Sequence, residues 1–154
     1  MQLIKDASAE KLRGAYYTPP AIASFILHWG INGGQDADIL EPSCGDGVFL
    51  ECMRDENMLF NTVTAIEYEA AEANKARTLG LHDSEVINQD FHRFCLDTDK
   101  RFDLVVGNPP FIRYQYYDPA QQKLADEIFN NAKLKRTKLT NAWVTFVVGC
   151  TQLL

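Results

Sequence analysis

The sequence predicts a doubly wound α/β domain, and three observations carry that expectation. Short apolar, β-branched runs alternate along the chain with stretches of helical spacing, the pattern of strand–helix units on a mostly parallel sheet. The first run passes at once into a tight turn, Gly45-Asp46-Gly47, that opens a helix. At or just past the end of each strand stands a residue able to hold a ligand (Glu41, Glu67, Asp90 and Asn108), and in doubly wound sheets sites collect outside those carboxyl ends.

The totals fit one such domain. The chain has 154 residues, 46% hydrophobic and 23% charged, with a net charge of -6 and an isoelectric point of about 5.0. That balance provides no overall basic field, so any nucleic-acid contact must be local or supplied elsewhere. Cys44, Cys52, Cys95 and Cys150 form no Cys-x-x-Cys pair and have no histidine at zinc-ligand spacing, so reduced thiols are the better reading and no metal site is expected. No signal peptide opens the chain and its apolar runs are too short to span a bilayer. The expectation is a cytoplasmic protein with no membrane partner.

Taken in order, Met1 to Arg13 are polar, with a short helical tendency around Ser8 to Leu12. In Gly14-Ala15-Tyr16-Tyr17-Thr18-Pro19-Pro20, Thr18 is placed to cap a helix whose first turn carries both prolines. Ile22, Phe25, Ile26 and Trp29 then recur at helical spacing, so the first helix is expected from about Pro19 to Trp29, ended by Gly30 to Gly34. Asp38 to Glu41 reads as a strand, and after Pro42-Ser43-Cys44 the glycine turn leads into a helix through Val48, Phe49, Cys52 and Met53. Glycines at such a junction let the backbone approach a ligand, and the helix N-terminus behind them adds partial positive charge. A dinucleotide fingerprint would place a third glycine where Leu50 stands, and Glu41 with Asp46 would repel phosphates, so the turn suits a cationic ligand better than NAD.

Thr62 to Ile66 is a second strand ending at Glu67, about twenty residues past the glycines, where a carboxylate accepts both ribose hydroxyls of an adenosine ligand. Asn74, Lys75 and Arg77 belong to a polar-faced helix ending near Gly80. Glu85 to Asn88 is a third strand, followed by Asp90 and Phe91, while His82 and His92 read as surface or loop residues.

Leu104 to Val106 is the fourth strand, and it stops abruptly at Gly107-Asn108-Pro109-Pro110-Phe111. Two prolines have fixed φ and no N–H, and the residue before a proline is held extended, so the loop is stiff and offers acceptors. The Asn108 side-chain oxygen and nearby carbonyls could hold the hydrogens of a planar amine, pulling its delocalised nitrogen towards a reactive tetrahedral state while the Phe111 ring stacks on the plane. Past it, Ile112 to Tyr117 mixes one arginine with three tyrosines. Asp118 and Pro119 then start a helix with Leu124, Ala125, Ile128 and Phe129 on one side, and Lys133 to Lys138 is a basic run. A last helix starts near Thr140 or Asn141 with Trp143, Phe146, Val147, Cys150, Leu153 and Leu154 at helical spacing.

The loop Asn108-Pro109-Pro110-Phe111 resembles the catalytic motif of the S-adenosyl-L-methionine-dependent amino-methyltransferases of DNA, in the form typical of the N6-adenine enzymes of restriction-modification systems. The resemblance implies a Rossmann-like class I methyltransferase fold, S-adenosyl-L-methionine as cofactor and double-stranded DNA as substrate. It also implies roles. Tyr17, Thr18 and Pro19 match a segment closing over the methionine end; Glu41, Gly45, Asp46 and Gly47 match the cofactor loop; Glu67 matches the ribose carboxylate. Asp90 matches the reader of the cofactor adenine, with the Phe91 ring packing on the base, and Asn141 matches a residue lining that pocket. Asn108, Pro109, Pro110 and Phe111 would act on the target base.

In that family the catalytic half precedes further strands and a target-recognition region, so residues 1–154 are expected to be the N-terminal part of the methyltransferase domain, with DNA specificity supplied downstream. The strand edge from Phe102 to Val106 would then lack a partner, an arrangement that favours self-association. Other readings of the same residues are methylation of a protein glutamine amide, methylation of RNA adenine, and a non-catalytic cofactor-binding subunit.

Overall fold

A computed structural model describes residues 17–31, 36–111, 118–135, 137 and 141–154. Its elements are helix α1 (Pro20–Gly30), strand β1 (Asp38–Glu41), α2 (Val48–Asp55), β2 (Thr62–Glu67), α3 (Ala70–Thr78), β3 (Ser84–Asn88), α4 (Phe91–Asp97), β4 (Leu104–Val105), α5 (Pro119–Asn131) and α6 (Ala142–Thr151). The strands form one parallel sheet in the order β3-β2-β1-β4, with Ile39 aligned on Val63 and on Leu104. The chain steps outward from β1 to β3 and then returns to the far side of β1.

Side chains alternate across the pleat, and that alternation divides the core into two layers. Ile39, Val63, Ala65 and Val106 pack with Ala23 and Leu27 of α1, Phe49, Leu50 and Met53 of α2, and Ala76 of α3. Leu40 and Ile66 face the other way, onto Phe91 and Phe94 of α4, Ile128 and Phe129 of α5, and Phe146 and Val148 of α6. Helices therefore cover both faces, and the reversal of strand order falls between β1 and β4, where doubly wound folds bind ligands.

Several expectations from spacing need correction. Thr18 does not cap α1: the helix starts at Pro20 with Pro19 at the cap and no side-chain cap hydrogen bond. Ile22, Phe25 and Trp29 lie outward, 51%, 70% and 79% exposed, while Ala23 and Leu27 are fully buried. A helix apolar on most of its circumference has no preferred side by periodicity alone, and here the small Ala23 and Leu27 form the side that enters the core shared with α2. On α6, Phe146 is buried, as is Leu153 just beyond the helix, but Trp143 and Val147 are exposed and Thr145, Val148 and Gly149 take the inside. His92 is no surface residue: it is 2% exposed, with its ring edge-on to Phe146 at 5.1 Å. The exposed His82 stacks on Phe60, ring centroids 5.1 Å apart, and pairs with Asp83.

Asp118 caps α5 as expected, accepting the Ala120 and Gln121 N–H groups at 2.7 and 2.9 Å with Pro119 in the first turn. Residues 1–16, the tyrosine-rich run 112–117, Arg136 and 138–140 lie outside the described residues.

Candidate functional site

The turn after β1 is shaped by its glycines. Gly45 and Gly47 have φ of 57° and 98°, left-handed values that side chains disfavour. A Cβ on Gly47 would also lie 2.6 Å from Leu79 Cδ1 and 3.1 Å from Ala76 Cβ, so glycine there lets the turn lie directly on the end of α3. At Gly45 a Cβ would meet nothing within 4 Å, which leaves open space above the backbone. The turn is fastened to β2 by the Cys44 N–H donating to Ile66 O at 2.9 Å and the Gly45 N–H donating to Glu67 Oε2 at 2.8 Å. The other Glu67 oxygen accepts the Glu69 N–H at 2.7 Å. Both oxygens are thus oriented by backbone donors, yet a carboxylate has about four lone-pair positions, so capacity for two hydroxyls remains.

Three carboxyl groups converge here. Glu41 is 1% exposed, and burial first, then the charges of Glu67 and Asp46, holds its carboxyl well above the usual carboxylate range. Its Oε2, like the Ser43 hydroxyl, is buried without a hydrogen-bond partner among the described residues. Burial and the same acidic neighbours also push the Cys44 thiol up, so it is no nucleophile. Unpaired buried polar atoms are costly, and an acidic, glycine-lined pocket rejects pyrophosphate while suiting a cation that also carries an ammonium and hydroxyls.

Most of the other predicted residues lie on the elements that follow. Gln89 N and Asn88 Nδ2 donate to Glu67 O at 3.0 and 2.9 Å, which ties the end of β3 to the end of β2 and places Asp90 beside the same edge. Asp90 caps α4, with Oδ1 accepting from His92 N at 2.8 Å and Arg93 N at 3.2 Å. His92 Nδ1 lies 3.1 Å from the same oxygen, and Gln121 Nε2 donates to Oδ2 at 3.2 Å. Burial pushes the Asp90 carboxyl up, but the His92 hydrogen bond and charge, with those from Gln121 and Arg93, outweigh it and hold it below its ordinary value.

Phe91 departs from expectation. Its ring is 3% exposed and stacks on Phe146 at 4.7 Å, where a Cβ on Gly149 would come within 3.0 Å of it, so it is a core residue and presents no face to a base.

After β4, Gly107 abuts the segment that leads into the glycine turn: a Cβ there would meet Pro42 Cδ at 3.2 Å, which brings the head of the Asn-Pro-Pro loop against Glu41-Pro42. Asn108, Pro109 and Pro110 are half-buried and Phe111 is 53% exposed. Tyr17, Thr18 and Pro19 lead into α1, Tyr17 being exposed. Lys75 has its ammonium held above its ordinary value by its hydrogen bond to Glu72, with smaller contributions from the charges of Tyr17 and Asp46. Asn141 stands at the N-cap of α6 with no cap hydrogen bond, and its buried Oδ1 has no partner among the described residues.

Sequence reasoning missed the two side chains that hold Asp90. His92 was legible as the position two past a cap; Gln121 lies 31 residues away and no local signal marks it. Among the described residues no cluster of His, Cys, Asp or Glu could hold a metal ion, and no helix is long and apolar enough to cross a membrane.

A parallel sheet covered on both faces, a left-handed glycine turn after β1 and a carboxylate fastened to that turn at the end of β2 define a class I S-adenosyl-L-methionine-dependent methyltransferase fold. Solved structures agree on the fold. A protein of Listeria monocytogenes assigned to that class superposes with a TM-score of 0.62 at 13% identity, covering 87% of this chain and 41% of its own. TrmN from Thermus thermophilus gives 0.56 at 18% identity, covering 88% and 35%.

The family model for N-6 DNA methylases matches residues 2–153, and the chain belongs to that family. Its relatives include the Type II methyltransferase M.CvrRI of Paramecium bursaria Chlorella virus XZ-6E, 32% identical over 121 residues that are 72% of this chain and 30% of that protein. Another is the methylase subunit of the Type I restriction enzyme EcoEI of Escherichia coli, 27% identical over 71% of this chain and 26% of its own length. The chain spans between 20% and 32% of the curated relatives it matches. S-adenosyl-L-methionine is the cofactor, and the acidic pocket with its unpaired Glu41 and Ser43 oxygens fits it.

Proposed function

We propose that this chain carries the catalytic half of a cytoplasmic enzyme that methylates the N6 amino group of adenine in double-stranded DNA as part of a restriction-modification system. The observation that carries this reading is the close approach of Gly107, at the head of the Asn108-Pro109-Pro110 loop, to Glu41 and Pro42 just before the glycine turn. It supports a reading in which a stiff row of acceptors works beside a pocket suited to a sulfonium ligand. Membership of the N-6 DNA methylase family supports the choice of an amine on DNA.

When bound, the cofactor supplies an electrophilic methyl group. Glu67 would take the ribose hydroxyls on its remaining lone pairs, Asp90 Oδ2 the adenine amine, and Glu41, Asp46 and the Gly45–Gly47 backbone the charged methionine end. Tyr17, Thr18 and Pro19 would close the rim, and Asn141 would line the adenine side through its unpaired oxygen. Phe91 contributes only by fixing α4, since its ring is in the core.

The target adenine would be extruded from the duplex and stacked on the exposed Phe111, with its N6 hydrogens held by the Asn108 side-chain oxygen and the Pro109 carbonyl. Those acceptors would keep the nitrogen lone pair directed outward; as the nitrogen forms its bond to the methyl carbon the methyl–sulfur bond would break, leaving S-adenosyl-L-homocysteine, and the nitrogen would lose one proton to solvent, while Pro110 keeps the loop from relaxing. Sequence readout would come from a region outside this chain, in keeping with the length of the relatives and the net charge of -6.

The test is methyl transfer from labelled cofactor to unmethylated DNA, with the recognition region supplied. Asn108→Ala is expected to lose transfer by at least about 100-fold, the scale of removing one preorganised hydrogen-bond group, while cofactor affinity stays within about threefold. Retained transfer would refute the role of Asn108, and cofactor binding with no transfer by the wild type would favour a non-catalytic subunit.

A further inference from the structure

We infer that Gln121 is a positioning residue for the adenine end of the cofactor pocket: from the first turn of α5 it fixes Asp90 Oδ2, the one oxygen of that carboxylate with room for a base amine. The inference rests on the assignment of Asp90 to the cofactor adenine made above. The geometry is unequal between the two oxygens. Oδ1 already faces three donors, His92 N at 2.8 Å, His92 Nδ1 at 3.1 Å and Arg93 N at 3.2 Å. An oxygen with about two lone-pair positions is saturated by these. Oδ2 has Gln121 Nε2 at 3.2 Å, which leaves it one lone pair.

The Asp90 side chain is only 17% exposed, so water cannot easily replace the amide. Gln121 is itself held, because its backbone N–H donates to the cap carboxylate of Asp118 at 2.9 Å. A residue of the segment that follows the Asn-Pro-Pro-Phe loop thus sets the direction in which the cofactor pocket offers its acceptor. Without the amide donor Asp90 stays in place as the α4 cap, but its second oxygen loses the bond that aims it.

The experiment measures calorimetric binding of S-adenosyl-L-homocysteine and of S-inosyl-L-homocysteine, in which the amine is replaced by a carbonyl oxygen, to the wild-type chain, Gln121→Met and Gln121→Glu. The wild type is expected to prefer the adenine ligand by about 10-fold or more, since an acceptor facing an acceptor leaves both unpaired. In Gln121→Met, of similar size but without the donor, that preference should fall at least about threefold while the variant stays folded at the temperature of the measurement. In Gln121→Glu a second carboxylate faces Asp90, and the preference should fall as well.

A preference equal to wild type in either folded variant overturns the role of Gln121 and leaves that of Asp90 standing. A wild type that binds both ligands equally overturns the Asp90 assignment and this inference with it. No binding of S-adenosyl-L-homocysteine by the wild type overturns the pocket.

Discussion

Glu41 sits in an environment far from its chemistry in water. A buried carboxyl with one unpartnered oxygen and two acidic neighbours binds its proton more tightly folded than unfolded. The native state therefore holds more protons than the unfolded state between the ordinary glutamate pKa and the raised one, and stability must fall as pH rises through that window. Glu41→Gln keeps the shape and removes the charge. Its cofactor-free thermal midpoint near neutral pH should exceed that of the wild type, and the difference should vanish as pH falls to the ordinary glutamate range. A midpoint difference independent of pH would show that Glu41 is not the titrating group. If Glu41 holds the charged end of the cofactor as proposed, the same variant should also bind S-adenosyl-L-homocysteine more weakly, the cost to stability being offset by the ligand. Asp90 behaves oppositely: its lowered pKa stabilises the fold above the unfolded aspartate value and that contribution is lost as pH falls through the folded one.

At the scale of elements, α1 shows most plainly where spacing and burial part. Leu27→Ala removes a fully buried side chain from the layer shared with α2 and should cost about 2–5 kcal/mol in denaturant unfolding. Trp29→Ser, at 79% exposure, should change stability by no more than about 0.5 kcal/mol despite removing a larger apolar side chain. The reverse ranking would mean that the helix is rotated. Helix starts followed the same division. Asp118 was readable as a cap because its carboxylate needs only its own next residues, whereas Thr18 met the local rule and was passed over in favour of Pro19. The strands and the glycine turn were legible throughout, since two-residue alternation and left-handed φ leave marks in the sequence itself.

On the scale of the whole molecule, β4 is an edge. It pairs with β1 on one side, and among the described residues no strand pairs with the other; the neighbouring Phe102 N–H donates to Leu153 O at 2.9 Å. An exposed strand edge is a template for another strand, and exposed Phe25, Trp29 and Trp143 add apolar surface, so we expect copies to associate as concentration rises. Sedimentation velocity over a concentration series checks this, and a single monomeric boundary throughout would overturn it. The sequence by itself determined the order of strands and helices, the doubly wound class and the chemical types at each strand end, because these depend on local spacing and on residues a few positions apart. Only the tertiary structure decided which side of α1 and α6 is buried, that the Phe91 ring belongs to the core, that Glu41 is protonated more readily than an ordinary glutamate, and that Gln121 meets Asp90. Those outcomes depend on which surfaces are brought together across the sheet, and no pattern within one segment carries that information.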